Sequence, residues 1–279
     1  MRMGRFFSTS MVLLLVAAVS CTSSAKKEAK KNNDTTGQTK KIDQPTKPLP
    51  TGLGWKKQTF KAENCDIQAT DEMDYVEDWC SQRTVELLTV RLNDVAVAHK
   101  INQRITKAIT GNSSGIDAIS KYVNKVKETN ATDLEENLFQ ETITCWVRDT
   151  NDRFLSLGIA SDYYALGAAH GVFSLQVLNI DLSTGNKISL DNLFEPSGFR
   201  ALTALAKKKF LQQNEDLGWW FTTDDQPFEL AEVFALERKG IRFIYQQYEI
   251  GPYCAGLPEV FLSKEEVTSL LKDNPYWPK

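Results

Sequence analysis

Residues 139–159, FQETITCWVRDTNDRFLSLGI, decide the fold class that the sequence predicts. From Phe139 to Val147 apolar side chains recur mostly at every second residue, and the same period returns from Leu155 to Ile159. This period is typical of a strand that buries one face. The segment between the two runs, DTND at 149–152, consists of residues that favour turns. The stretch therefore predicts a hairpin of antiparallel strands.

More strands and turns follow this hairpin. A third alternating run covers residues 172–182 and ends at STGN, residues 183–186, which predicts a second turn. Residues 228–237 and 241–250 form another pair of apolar runs, split by Arg238-Lys239-Gly240. The spacing predicts a second hairpin.

Helices are expected on both sides of these strands. Upstream, residues 82–92 look extended, Asn93 or Asp94 caps a helix that ends at Gly111, and Ser114 opens another. Downstream, apolar residues at helical spacing follow Pro196, and Ser263 with Glu266 forms a capping box before a short helix. The pattern predicts an α+β fold, with helices packed on antiparallel sheet.

The N-terminus resembles an export signal. Arg2 and Arg5 precede nine apolar residues at 11–19, far fewer than the roughly 20 that span a bilayer. Residues 18–21, AVSC, resemble the lipobox of bacterial lipoproteins. We therefore expect residues 1–20 to be removed and Cys21 to be acylated, which would anchor the protein in a membrane of the cell envelope, exposed to the periplasm or the exterior. The alternative is an ordinary cleaved signal with Cys21 there by chance.

The rest of the chain divides by composition. Residues 21–54 are dominated by Lys, Thr, Asn, Asp, Gln and Pro and hold no aromatic residue, which predicts a disordered tether. The folded region is expected as an N-terminal α+β part, 55–129, followed by a domain at 130–279.

The net charge of the folded region argues against nucleic acid as a partner. The chain carries −3; Arg2 and Arg5 contribute +2, and residues 22–54, with seven lysines and three carboxylates, contribute +4, which leaves −9 for residues 55–279. An acidic body argues against binding nucleic acid and suits a cationic protein.

Four cysteines besides Cys21 predict disulfides in an exported protein, with three possible connectivities. We expect Cys65 to pair with Cys80 and, mainly by elimination, Cys145 with Cys254; the alternative for Cys145 is a buried free thiol. No CxxC pair occurs, and the histidines are two, His99 and His170. We therefore predict no metal and no cofactor, and we expect His99 to be a surface or packing residue.

Two irregular segments combine small residues with aromatic and ionisable ones: 163–171, YYALGAAHG, and 248–256, YEIGPYCAG. Loops of this composition carry binding and catalytic groups. The candidate ligand-binding or partner-binding residues are Tyr163, Tyr164, His170, Tyr248, Glu249 and Tyr253.

Four segments in this order carry a resemblance to a known family: AHG at 169–171, NIDLSTG at 179–185, LDNLF at 190–194 and YEIGPYCAG at 248–256. Together they resemble the C-terminal, extracytoplasmic domain of the anti-sigma-V factor RsiV, over about residues 130–272. The resemblance implies a domain of unknown general function, which in that anti-sigma factor recognises lysozyme. We expect no sigma-binding segment, no transmembrane helix and no deacetylase domain here.

Three functions are open at this stage. The leading one is a non-enzymatic envelope lipoprotein that binds lysozyme, a similar protein, or peptidoglycan. The second is a cell-wall enzyme that uses His170 as general base, oriented by Glu249 or Asp162. The third is a structural accessory of the envelope. His170 itself could fix a neighbouring loop, contact a ligand or act in catalysis.

Overall fold

The predicted hairpin lies within a five-stranded sheet in the structure, a computed structural model that describes residues 52–65, 80–111, 115–128, 138–214, 220 and 227–277. The strands of this first sheet are β1 (Gly54–Asn64), β2 (Ser81–Arg91), β3 (Phe139–Thr150), β4 (Phe154–Ala165) and β5 (Val172–Asp181). They lie side by side in that order. The Asn151 side chain fixes the β3–β4 turn, because it accepts hydrogen bonds from the backbone N–H groups of Arg153 and Phe154.

The α+β class is confirmed, but one pairing differs from the antiparallel sheet that the sequence predicted. Residues Gln82–Glu86 of β2 pair in parallel with Gln140–Thr144 of β3. The physical reason is the connection between them, which includes two helices, α1 (Val95–Thr110) and α2 (Ile116–Asn124). A long helical crossover returns the chain in its original direction, whereas a tight turn reverses it.

The predicted ends of α1 are confirmed. The Asp94 carboxylate accepts a hydrogen bond from the Val97 backbone N–H, and the helix ends at Gly111 with φ 71°. Glycine adopts this left-handed conformation without steric cost. For α2 the N-cap is Gly115, and the predicted opening residue Ser114 lies outside the described residues.

One core joins the two helices to the whole first sheet. Ile101 and Ile105 of α1 and Ile119 of α2 are fully buried against Val85 and Leu155 in one cluster of side chains. The predicted N-terminal part, 55–129, and the strands after residue 138 therefore share a sheet and a core. All described residues belong to a single compact unit.

A second, three-stranded sheet follows. Its strands are β6 (Val233–Glu237), β7 (Gly240–Ile244) and β8 (Glu259–Ser263), and its helices are α3 (Phe199–Gln213) and α4 (Lys264–Val267). The predicted hairpin and the Ser263 capping box are confirmed, but the hairpin strands are shorter than predicted. Leu202, Ala206 and Phe210 of α3 are buried in the core of this sheet.

Asn179, in the predicted third strand, joins the two sheets. Its side chain donates to the Phe234 carbonyl at 2.8 Å and accepts from the Leu236 N–H at 2.8 Å, so the carboxamide pairs with β6 as a neighbouring backbone would. The Ser156 hydroxyl donates a third bond to Asn179 Oδ1. Asn179 and Ser156 are both buried, so each of these bonds is shielded from water.

Of the two predicted disulfides, one is confirmed and one is wrong. The Cys65–Cys80 disulfide is confirmed. The Cys145–Cys254 pair is wrong, because Cys145 is a free thiol. It lies fully buried in the first core, and this burial raises the pKa of the thiol to about 12. A thiol in this setting is a small apolar core residue that is inert at neutral pH.

The N-terminal predictions remain predictions. The signal at 1–20, the lipidation site Cys21 and the tether at 21–54, except for its last three residues, lie outside the described residues. No helix in the part of the chain that the structure describes is both long and apolar enough to cross a membrane.

Replacing Asn179 by Ala tests the junction of the sheets. We expect the free energy of unfolding to fall by about 3 kcal/mol, because the substitution leaves the Phe234 carbonyl, the Leu236 N–H and the Ser156 hydroxyl buried without their partner. Urea denaturation measures this loss. The control is Asn124→Ala, at an exposed residue whose side chain bonds one carbonyl of its own helix, and it should change stability by less than about 0.5 kcal/mol. Equal effects from the two substitutions would contradict the assignment.

Candidate functional site

The two irregular segments meet in space. The imidazole of His170, in the loop after β4, stacks on the ring of Tyr253 with 3.9 Å between ring centroids and 24° between planes. Tyr248 completes the group: its hydroxyl lies 3.1 Å from His170 Nε2, and its ring centroid is 5.9 Å from that of Tyr253. We call His170, Tyr248 and Tyr253 the aromatic cluster.

The hydrogen bonds of His170 define its tautomer. Nδ1 lies 3.0 Å from the Gly171 carbonyl oxygen, which can only accept, so Nδ1 carries a hydrogen. In the neutral ring Nε2 is then the acceptor, and the Tyr248 hydroxyl donates to it. Both nitrogens therefore have partners within the two loops. Neither Glu249 nor Asp162 bonds to the imidazole among the described residues, so the orienting role predicted for them is not formed.

Two glutamines fasten the second loop to β5. The Gln246 carboxamide accepts from the Leu175 N–H at 3.0 Å and donates to the Leu175 carbonyl at 3.1 Å. Gln247 accepts from the Phe173 N–H at 2.9 Å. Since β5 is the last strand of its sheet, these side chains satisfy backbone groups that no further strand of the sheet reaches. Both glutamines follow β7, which ends at Ile244, earlier than predicted.

The turn that presents Tyr248 is tight. Tyr248 has φ 64°, an uncommon conformation for an aromatic residue and a sign of local strain. Glu249 closes the turn from the other side, because its carboxylate accepts from the Gln246 N–H at 2.6 Å. Burial, and to a lesser extent the charge of Glu249, raises the pKa of Tyr245, whose hydroxyl donates to the Glu229 carbonyl. Glu249 thus has a structural partner, while Tyr248 is 54% exposed.

Gly251, in the same loop, packs closely against the Trp220 ring. A Cβ atom at this position would come within 2.9 Å of the Trp220 ring, which is closer than such atoms approach. Trp220 in turn packs edge-on against Phe210 of α3, with ring centroids 4.7 Å apart. The close contact requires glycine at position 251, and it ties the second loop to the core of the second sheet.

The two remaining candidates, Tyr163 and Tyr164, lie at the end of β4 and make contacts outside the aromatic cluster. The Tyr163 ring stacks on Phe139 of β3 at 5.5 Å, and the Tyr164 hydroxyl donates to the Ala168 carbonyl within the same loop. Neither side chain is in ring contact with the aromatic cluster. The structure therefore brings together three of the six candidates, His170, Tyr248 and Tyr253, and gives Tyr163, Tyr164 and Glu249 contacts of their own.

A polar network beside Tyr163 was not predicted. Arg83 forms an ion pair with the buried Glu141 carboxylate, which also accepts from the hydroxyls of Tyr122 and Ser161. The Arg83 guanidinium lies over the Tyr122 ring at 4.2 Å. Burial and the nearby Glu141 charge raise the pKa of Tyr122 to about 12. Every member has a partner, so this network anchors α2 to the sheet.

The segments that carry the cluster expose one large aliphatic side chain and contain no cation. Val172, directly after Gly171, is 54% exposed, as is Tyr248. Sequence reasoning missed Val172 because it lies in an alternating run that predicts only a strand. The segments 161–173 and 245–257 contain no Lys or Arg, and their acidic residues are the exposed Asp162 and Glu249.

The other histidine lies elsewhere. His99, on α1, is exposed, and its Nε2 is 3.0 Å from the Gln103 amide nitrogen, which confirms the prediction of a surface residue. Within the described ranges no three His, Cys, Asp or Glu side chains are grouped so that they could hold a metal ion.

The sequence matches a family described as protein of unknown function (DUF3298) over residues 191–265. The chain thus contains a DUF3298 domain. This segment includes α3, the second sheet, Tyr248 and Tyr253, whereas His170 comes from the strand-and-loop region before it. The site is therefore assembled from the DUF3298 domain and from the first sheet.

Two crystal structures of DUF3298 family members have the same fold. One, from Bacteroides fragilis, has a TM-score of 0.68 at 21% identity, over 81% of this chain and 96% of its own. Another, from Pseudomonas aeruginosa, has a TM-score of 0.59 at 19% identity, over 81% and 97%. None of the curated proteins compared with the chain matches it.

Replacing Gln246 by Ala tests the attachment of the second loop. We expect amide exchange at Leu175 to become about ten-fold faster or more, because its N–H loses the acceptor that protects it. Hydrogen exchange with NMR detection measures this rate. Gln176→Ala is the control, since this neighbouring side chain is exposed and makes only a 3.4 Å contact with the Ala108 carbonyl. An unchanged Leu175 rate in Gln246→Ala would show that the carboxamide does not hold the loop.

Proposed function

We propose that this chain is a lipid-anchored protein of a bacterial envelope whose DUF3298 domain, together with the loop of His170, binds a protein or cell-wall ligand without transforming it. The observation that carries the proposal is the aromatic cluster, in which a histidine with both nitrogens engaged supports an exposed tyrosine. Aromatic side chains on a rigid frame supply large contact area at low entropic cost, as in many binding sites.

The arrangement of His170 favours binding over catalysis. A general base must have a nitrogen free to reach the proton it abstracts. Here Nε2 already accepts from Tyr248 and Nδ1 donates to Gly171, so the imidazole acts as a brace between the two loops. In a cell-wall enzyme based on His170, substrate would have to displace the Tyr248 hydroxyl first.

Charge favours a cationic ligand. Residues 55–279 carry −9, and the two segments of the site supply the carboxylates of Asp162 and Glu249 without a basic residue. Exposed carboxylates steer cationic partners toward a surface, and an aromatic face attracts Lys or Arg side chains. The family that the sequence resembles includes a lysozyme-recognising domain, and lysozyme is therefore the first protein to test.

The acylation of Cys21 completes the proposal. A tether of about 33 residues has a root-mean-square span of roughly 30 Å and can extend to about 110 Å. A lipid anchor on such a tether would hold the domain near the membrane and leave the aromatic cluster accessible to ligands in the envelope.

Calorimetry of the purified protein with lysozyme, and separately with muropeptides, tests the binding function. We expect affinity for lysozyme that falls as salt rises and that drops at least about 30-fold in Tyr253→Ala, since central interface aromatics often contribute 2 kcal/mol or more. His170→Ala should weaken binding as well, because Tyr248 loses its support.

The matched control is His99→Ala, which removes the other histidine and should bind as the unaltered protein does. A muropeptide digestion assay runs beside the calorimetry. Turnover that disappears in His170→Ala would contradict a binding function. Absence of heat with lysozyme but a Tyr253-dependent response to muropeptides would assign the site to the cell wall.

A further inference from the structure

The exposed face of α3 is a basic patch on a protein whose net charge is negative. The helix, FRALTALAKKKFLQQ, carries Arg200 and lysines 207–209 and no Asp or Glu, whereas residues 55–279 as a whole carry −9. Lys209 is neutralised by Glu266 of α4. The other three cations have no ion pair among the described residues.

These cations share one side of the helix. Its opposite side, with Leu202, Ala206 and Phe210, is buried in the second core. Arg200, Lys207 and Lys208 lie on the remaining face, where Ala201, Ala204 and Leu211 are exposed between them. Leu211 is 45% exposed, and it is the one large apolar side chain of α3 that is exposed to solvent.

We propose that this face of α3 docks on the anionic headgroups of a lipid bilayer. Cations that alternate with small and apolar side chains are the composition of helices that lie in the membrane interface. Each Lys or Arg close to an anionic bilayer strengthens partition by about five-fold, and an exposed leucine adds apolar contact with the headgroup region. The proposal is independent of the ligand of the aromatic cluster.

The rest of the surface makes the contact directional. A body with nine excess negative charges is repelled by anionic lipid, so an attractive contact requires a face on which cations are exposed together, as they are on α3. For a chain anchored through Cys21, docking of α3 would restrict an orientation that a flexible tether leaves free. The anchor would also raise the effective concentration of the domain at the membrane, so a weak contact suffices.

The test is co-sedimentation of the full chain, made as Cys21→Ser so that no acyl chain contributes, with vesicles of phosphatidylcholine alone or mixed with phosphatidylglycerol. We expect binding to the anionic vesicles only. The variant R200Q/K207Q/K208Q should lower partition about 100-fold, which follows from five-fold for each of three charges.

The matched control is K121Q/K125Q/K127Q, which removes the same charge from exposed residues of α2 and the turn after it. Both triple variants keep the basic tether, so its contribution cancels. An equal loss in the two would mean that only net charge matters and would overturn the proposal. Absence of binding by the parent chain would do the same.

Leu211→Ser separates a bilayer from a soluble anionic polymer, which attracts the same charges but offers no apolar layer. We expect weaker binding to vesicles and unchanged binding to polyphosphate. If Leu211→Ser leaves vesicle binding unchanged while the charge variant lowers it, the face recognises anionic polymers and the bilayer assignment is wrong.

Discussion

A buried carboxamide joins the two sheets, and the position of the candidate site depends on that junction. Asn179 of β5 offers β6 an acceptor and a donor in the places where a backbone would, at 2.8 Å each. Apolar side chains of both sheets, among them Val177 and Ala235, also pack together in one cluster. His170 follows β4 of the first sheet, and Tyr253 follows β7 of the second. The cluster therefore forms only while the two sheets keep their relative position.

Amide side chains also pair with strand backbone at other positions that lack a neighbouring strand. Side-chain amides satisfy both the N–H and the carbonyl of one residue in three places: Asn102 at Val90, Gln213 at Phe261 and Gln246 at Leu175. Open strand edges invite unwanted pairing, and these amides close them without adding a strand. At Leu175 the closure has a second effect, since the residue that closes the edge lies two positions before Tyr248. The segment that contains Gln246 therefore both covers the edge of β5 and positions Tyr248 of the aromatic cluster.

Local signals in the sequence predicted local structure well. The period of two around Cys145, the caps at Asp94 and Gly111 and the Ser263 capping box act within a few residues of themselves, so they can be recognised without a partner. The two loops were also identified, because small and aromatic residues together are unusual for a core.

Contacts between distant segments could not be predicted in the same way. The role of Asn179 depends on a strand 55 residues away, and nothing in its own surroundings distinguishes it from a turn residue. The parallel β2–β3 pair depends on where the crossover helices pack. Cys145 and Cys254 were paired by elimination, and that argument fails because a buried thiol is as good a core residue as an alanine or a valine. For the six site candidates, composition indicated the loops but not which side chains face each other.

The central claim is that the fold holds His170 as a brace, with Nδ1 protonated toward the Gly171 carbonyl and Nε2 accepting from Tyr248. Nitrogen NMR of the imidazole measures this directly, with the exposed His99 as an internal reference in the same sample. The account predicts a single Nδ1–H tautomer for the neutral ring of His170, and a weaker preference for it in Tyr248→Phe, where the Gly171 carbonyl alone favours it. A predominant Nε2–H tautomer, or a mixture of tautomers like that of a solvated histidine, would contradict it.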